Sequence, residues 1–217
     1  MKVLVTGATG FIGRCLVESL LEHGYDIAVL VRSHKRLEQT LPRLPSRGKV
    51  IYGDVTDASK VKVALKDIDV VFHLAALLGK WGISDQQYYH VNVYGTHVML
   101  EQSAKVNVNQ FIYLSSTGVM GHLKTLPGDI NHPCDPFTPY EKSKYQAESL
   151  VRKAIDEDRF PATIIRPSHV YGPGDYNTLQ FLRLMKKWRI LPLIDGGQRL
   201  FQPIYVADLA QALVSCV

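Results

Sequence analysis

Residues 2–13 read KVLVTGATGFIG. The opening KVLVT (2–6) is a short apolar, β-branched run of the kind that forms a strand buried on both faces. It runs into Gly7, Gly10 and Gly13, and FIGRCLVESLLEH (11–23) then carries a helical pattern closed by Gly24. Glycines at that junction permit a tight turn and close backbone approach, and a helix N-terminus offers free N–H groups to a diphosphate. The spacing G-x-x-G-x-x-G departs from the G-x-G-x-x-G fingerprint, so the strand–turn–helix setting carries the reading. The alternative is that the glycines serve chain reversal alone.

The same alternation continues outward from this stretch. DIAVLVR (26–32), KVIYG (49–53), DVVFHLA (69–75), QFIYLSS (110–116) and ATIIRP (162–167) read as further strands, giving six parallel strands with the first. Helical patterns separate them at 57–66, 85–107 and 140–157. Repeated βα units predict a doubly wound α/β sheet of the Rossmann type. Segments 76–84, 117–139 and 168–204 break the alternation, follow strands four, five and six, and so fall at the carboxyl edge where such sheets bind ligands. The expected organisation is a dinucleotide-binding domain over 1–167, with 168–217 beginning a small substrate lobe interleaved with the last sheet elements. That lobe ends inside the helical pattern VADLAQALVSCV and is read as truncated.

Composition narrows the function classes. The chain has 217 residues, 46% hydrophobic and 21% charged, as in an ordinary soluble globule. Cys15, Cys134 and Cys216 show no CxxC spacing and the eight histidines no ligand-like pair, so neither a disulfide framework nor a metal site is expected. No apolar stretch approaches the length of a signal core or a membrane span, and a reducing, cytoplasmic setting follows as the expectation. The net charge of +5 is spread along the chain apart from HKR (34–36) and KKWR (186–189), read as solvated helix faces. Nucleic acid is therefore not expected as a partner, and a small-molecule substrate is.

Two features bear on chemistry. The second strand ends Val31-Arg32, with Lys35 and Arg36 behind it, where an NAD-selective site would present an acid to the ribose hydroxyls. An arginine there suits a 2′-phosphate, so NADP(H) is favoured over NAD(H), although Lys35 and Arg36 are equally read as solvating a helix start. TPYEKSK (138–144) places Tyr140 and Lys144 on successive turns of one helix face. An ammonium beside a phenol favours the phenolate and predicts a general acid/base.

Together with FHLAA (72–76), GDVTD (53–57), VNVYGT (91–96), LSSTGVMG (114–121), RPSHVYGPGD (166–175) and PIYVADLA (203–210), the glycine loop and YEKSK occur in an order that resembles the extended short-chain dehydrogenase/reductase family, also called the NAD-dependent epimerase/dehydratase family. The resemblance implies Ser116, Tyr140 and Lys144 as catalytic residues, with Ser115 and Thr117 as neighbouring alternatives for the serine. It implies a cofactor path along Gly7, Thr9, Gly10, Phe11, Ile12 and Gly13, then past Leu74, Ala75 and Ala76. Asp54 would accept from the adenine amino group with Val55 beside the ring, and Asn92 would hold a water near the lysine. Pro167 and Ser168 would approach the nicotinamide, and Lys144 would also bind its ribose. Family members pair through the long helices, here 85–107 and 140–157, which implies a homodimer.

Within that family, dehydratases carry an acidic pair beside the serine; SSTGVMG has none. AALLGKWG (75–82) resembles the 3β-hydroxysteroid dehydrogenase branch, and Leu77, Leu78 and Trp81 would suit a flat apolar substrate, unless Trp81 packs on the long helix. The expected activity is hydride transfer between nicotinamide and a secondary alcohol or ketone. A nucleotide-sugar epimerase, with Arg183, Lys186, Lys187 or Arg199 meeting the diphosphate, and a non-catalytic dinucleotide-binding subunit are the alternatives.

Overall fold

The structure, a computed structural model, describes residues 1–79, 82–123, 127–189, 194–197 and 201–217, with backbone only at 177, 194 and 195. Strands β1 (Lys2–Thr6), β2 (Asp26–Val31), β3 (Lys49–Tyr52), β4 (Val70–His73), β5 (Gln110–Leu114) and β6 (Ala162–Ile165) form one sheet, parallel throughout, in the order β3-β2-β1-β4-β5-β6. The order reverses between β1 and β4, which opens a crevice above the carboxyl ends of those two strands. The expected doubly wound sheet is therefore present.

Helices α1 (Phe11–Glu22), α2 (His34–Thr40), α3 (Ala58–Ala64), α4 (Asp85–Tyr88), α5 (Gly95–Lys105), α6 (Pro139–Asp158), α7 (Tyr176–Trp188) and α8 (Val206–Val214) flank it. One core joins Val3, Val5 and Val29 of the sheet to Leu16 and Leu20 of α1, Leu37 of α2 and Leu209 and Leu213 of α8. The other joins Leu4, Val71 and Phe111 to Val61 of α3, Met99 of α5 and Ala147 and Val151 of α6.

Several boundaries differ from the sequence reading. The second to sixth strands stop one or two residues before their apolar runs do: Leu74, Ala75, Ser115, Ser116, Arg166 and Pro167 lie beyond the ladder. The helix expected at 57–66 begins after Asp57, whose carboxylate caps it by accepting from Ser59 N and Lys60 N. The helix expected over 85–107 is three pieces, α4, a π-helical stretch at Tyr89–Tyr94, and α5. Within 168–204, read as irregular, stand α7 and the two-residue strands β7 (Val170–Tyr171) and β8 (Ile204–Tyr205), which pair parallel with each other. The large apolar side chains of α7, from Tyr176 to Trp188, are largely exposed, although their spacing along the segment is helical.

Candidate active site

The glycine turn is as tight as backbone allows. Gly7 has φ +72°, and a Cβ on it would lie 2.8 Å from the Leu74 and Ala75 backbone. A Cβ on Gly13 would lie 2.1 Å from the Gly7 carbonyl oxygen, so α1 can start directly against the turn only with glycine there. Gly10 is the N-cap of α1 and supplies no side-chain oxygen, and the first turn holds no acid. The leading N–H groups, at Phe11, Ile12 and Gly13, are thus left for an anion from outside the helix. Thr6 Oγ1 accepts from Ala75 N at 3.2 Å, tying the turn's base to the segment Leu74–Ala76 that follows β4.

Beside the turn, Arg36 Nε donates to the Thr9 carbonyl at 3.3 Å, which places a second cation against the loop. Arg32 lies 3.6 Å from Asp54, at an exposed pair of modest energetic weight. The other Asp54 oxygen accepts from Thr56 N and Thr56 Oγ1, both at 3.0 Å, so the carboxylate is already engaged on both oxygens. Val55 is buried in the core against Gly95.

α6 carries the chemistry. Thr138 caps it in a capping box with Glu141, and Ser143, Lys144, Ala147, Glu148 and Val151 form its buried stripe. At its first turn Tyr140 meets the hydroxyl of Ser116, which caps the short 3-10 turn after β5 and accepts from Gly118 N at 3.1 Å. Ser115 faces away and donates to Glu148 Oε2 at 2.7 Å. Thr117 N donates to the Pro167 carbonyl at 3.0 Å, and Ser168 Oγ to the Gln202 carbonyl at 2.6 Å, so these two residues border the same edge.

Lys144 is 3% exposed; its Nζ donates to the Leu114 carbonyl at 2.6 Å and sits 4.3 Å from the Tyr113 ring centroid. Burial pulls its pKa down to about 7, against the raising influence of Glu148. The phenolate expected from the Tyr–Lys spacing is absent. Burial, with Glu141 and Tyr88 adding to it and Ser116 opposing, pushes Tyr140 up to about 12. Sharing a helix face does not fix where an ammonium points, and this one is held by Leu114. Tyr140 is a phenol, fit to donate a proton.

Asn92 is engaged by protein partners on its side chain and its carbonyl. Its Oδ1 accepts from Leu77 N at 2.7 Å, and its Nδ2 donates to the Leu77 carbonyl at 3.1 Å and to Ser143 Oγ at 2.8 Å. It bridges the loop after β4 to α6, beside Lys144. Its own carbonyl accepts from Thr96 Oγ1 at 2.6 Å in the widened π stretch. His73 is a satisfied core residue between Thr6 Oγ1 at 2.8 Å and Thr96 Oγ1 at 3.0 Å, and burial takes it down to about 3. Trp81 and Arg199 lie outside the described residues.

Sequence reasoning missed Glu148 and Arg166. Tyr88 stacks edge-on to Tyr140 at 6.3 Å and donates to the Leu78 carbonyl at 3.2 Å. The available signal for Glu148 was a carboxylate on the apolar stripe of α6, one turn beyond Lys144. Among the described residues no cluster of His, Cys, Asp or Glu could hold a metal, and no helix is long and apolar enough to cross a membrane.

Comparison with known proteins gives the chain its relatives. The model of the NAD dependent epimerase/dehydratase family matches residues 3–217. The chain is 32% identical to mouse (Mus musculus) dTDP-D-glucose 4,6-dehydratase over 99% of its own length and 64% of the relative's. It is 38% identical to a 3 beta-hydroxysteroid dehydrogenase/Delta 5-->4-isomerase of Mycobacterium tuberculosis, over 98% of this chain and 59% of that one. Among solved structures, UDP-glucuronic acid 4-epimerase from Bacillus cereus in complex with NAD superposes with a TM-score of 0.82 at 34% identity, covering 99% of this chain and 73% of that one. The chain thus spans a little under two thirds of the length of these curated relatives.

Proposed function

Because the chain belongs to the NAD dependent epimerase/dehydratase family, we propose that it is an NAD(P)-dependent oxidoreductase acting on a secondary alcohol or ketone. The observation that carries the reading is the placement of Ser116 just after β5, Tyr140 in the first turn of α6, where the serine hydroxyl acts to lower its pKa, and the buried Lys144 one turn on. The dinucleotide fits the glycine turn: the uncapped start of α1 would take its diphosphate, and Leu74–Ala76 would border it. When bound, the nicotinamide supplies the hydride donor or acceptor. In the reducing direction Tyr140 gives its phenolic proton to the carbonyl oxygen, and Ser116 donates a hydrogen bond to that oxygen as negative charge develops. Stabilising the phenolate left behind requires the Lys144 ammonium to turn from the Leu114 carbonyl toward Tyr140. With a pKa of about 7 it can also carry a proton back to Tyr140.

Arg32 and Arg36 at the glycine turn support NADP(H) over NAD(H). The 38% identity to the hydroxysteroid dehydrogenase supports an apolar substrate, and so does Leu78, 55% exposed on the loop after β4. Segment 168–217 is read as the start of the lobe that completes the substrate pocket. A homodimer through α5 and α6 is carried over from the resemblance; sedimentation velocity checks it.

The test is fluorescence titration with NADPH and NADH, repeated on Arg32→Ala, followed by turnover of ketones and alcohols. Expected are tighter NADPH binding that falls to parity in Arg32→Ala, and a loss in turnover of about 10²–10⁴-fold in Tyr140→Phe with cofactor affinity retained. NADH-favouring affinity would reverse the cofactor preference. A nucleotide-sugar epimerase is the second reading, supported by the Bacillus cereus relative. It predicts tightly retained NAD and interconversion of UDP-sugars without added cofactor. Dehydration is disfavoured because Thr117 and Gly118 follow Ser116 where an acid would be needed. Full biological activity in Tyr140→Phe would support a binding subunit instead.

A further inference from the structure

Behind the proposed site stand three polar side chains that the chemistry above does not use. Glu148 has a side chain only 1% exposed. Its Oε1 accepts from Arg166 Nη2 at 2.6 Å and Arg152 Nε at 2.9 Å, and its Oε2 from Ser115 Oγ at 2.7 Å and Arg166 Nε at 3.0 Å. Burial alone would raise its pKa, but hydrogen bonds from Arg166, Ser115 and Arg152 outweigh it and keep the carboxylate ionised. Each anchor adjoins a residue of the site. Ser115 precedes Ser116, and Ser115 N donates to the Ile165 carbonyl at 2.7 Å. Arg166 precedes Pro167, whose carbonyl holds Thr117 N. Glu148 itself lies one turn from Lys144 on the same buried stripe.

We propose that Ser115, Glu148 and Arg166 form a positioning unit that clamps the ends of β5 and β6 to α6 and keeps an anion beside the Lys144 ammonium. The inference rests on the reading of Ser116 and Lys144 as working residues. The titratable groups around Lys144 are His73 from β4, Tyr113 from β5, and Tyr140 and Glu148 from α6. His73 is neutral, and burial holds both tyrosines protonated, so the negative charge in this set is that of Glu148. Without it, the ammonium would retain the Leu114 carbonyl and little else to offset its desolvation.

Glu148→Gln alone would leave Arg166 buried without its counter-charge, so both charges are removed together in Glu148→Met/Arg166→Met. The readout is the titration of Lys144 by NMR in lysine-labelled protein, its signal assigned by its loss in Lys144→Met. The double variant is expected to melt cooperatively, with the Lys144 midpoint lowered by about one pH unit. Ser115→Ala, which removes a hydroxyl and no charge, keeps the anion; its Lys144 midpoint is expected to stay in place. Its NADPH affinity is expected to fall about threefold or more as the end of β5 loosens. A wild-type midpoint in the folded double variant, or wild-type NADPH affinity in Ser115→Ala, overturns the proposal, as does a double variant that does not fold, which would make the unit a purely structural bridge. The functional reading fails separately, if Tyr140→Phe and Lys144→Met leave turnover unchanged.

Discussion

The two faces of the sheet are built on different principles. Under α1, α2 and α8 the interior is apolar: Leu16, Leu20, Leu37 and Leu213 are fully buried against Val3, Val5 and Val29. Under α5 and α6 the same close packing encloses His73, Asn92, Thr96, Ser143, Lys144 and Glu148. The first face is held by removal of apolar surface from water, which is non-directional. The second depends on each buried polar group keeping its partner, since an unpaired one costs its full desolvation. The glycine turn faces outward from the first and the proposed chemistry rests on the second, so the fold separates a surface that holds a ligand from an interior that tunes proton affinity.

Three experiments would break or sharpen that contrast. Leu20→Ala removes a fully buried side chain of α1 and is expected to cost about 2–5 kcal/mol in urea unfolding. The loss should be the same at pH 6 and pH 9; a pH-dependent loss would mean the apolar face is coupled to the polar one. Next in size is the pH dependence of the wild-type protein itself. Lys144 has its pKa lowered on folding, from 10.5 to about 7, so between those values the unfolded chain binds more protons and stability rises with pH. From pH 6 to pH 9 the gain is about 3 kcal/mol, and Lys144→Met should flatten the profile. His73, lowered to about 3, acts in the same direction below pH 6.5, whereas Tyr140, raised to about 12, removes stability as pH climbs above 10. The smallest effect is expected for Thr138→Ala, which deletes the cap of α6 and should cost about 1 kcal/mol in thermal unfolding. If it also weakens NADPH binding, the start of α6 is set by its cap and not only by the buried network behind it.

The first face is also the one that a reader of the sequence can see. β1, the glycine turn and α1 announce themselves because strand runs, helical spacing and punctuating glycines are local properties. The crevice was legible as a set of residues, Ser116, Tyr140 and Lys144, without its wiring. Nothing in the string YEKSK says that Lys144 reaches the Leu114 carbonyl, or that burial pushes the Tyr140 phenol up. Nor does VNVYGT show a π-helical stretch, because apolar spacing does not distinguish the turn that lets Asn92 bridge Leu77 and Ser143. Glu148 and Arg166 stand 18 residues apart and become one unit only through tertiary packing. β7 and β8 are two residues each, too short to carry a pattern.

The docking of α8 on α1 has a consequence for how the protein is made. Gln211 Nε2 donates to Ser19 Oγ at 3.2 Å across 192 residues of chain, and Leu209, Leu213 and Val214 complete the core that Leu16 and Leu20 begin. At ribosomal elongation of about 5–20 residues per second, α1 waits about 10–40 s for its partner. During that interval an oily flank of the nascent chain faces solvent or a chaperone, and the high contact order of the finished sheet makes closure slow even afterwards. Synthesis, more than the folded state, is therefore where this architecture is most exposed to aggregation.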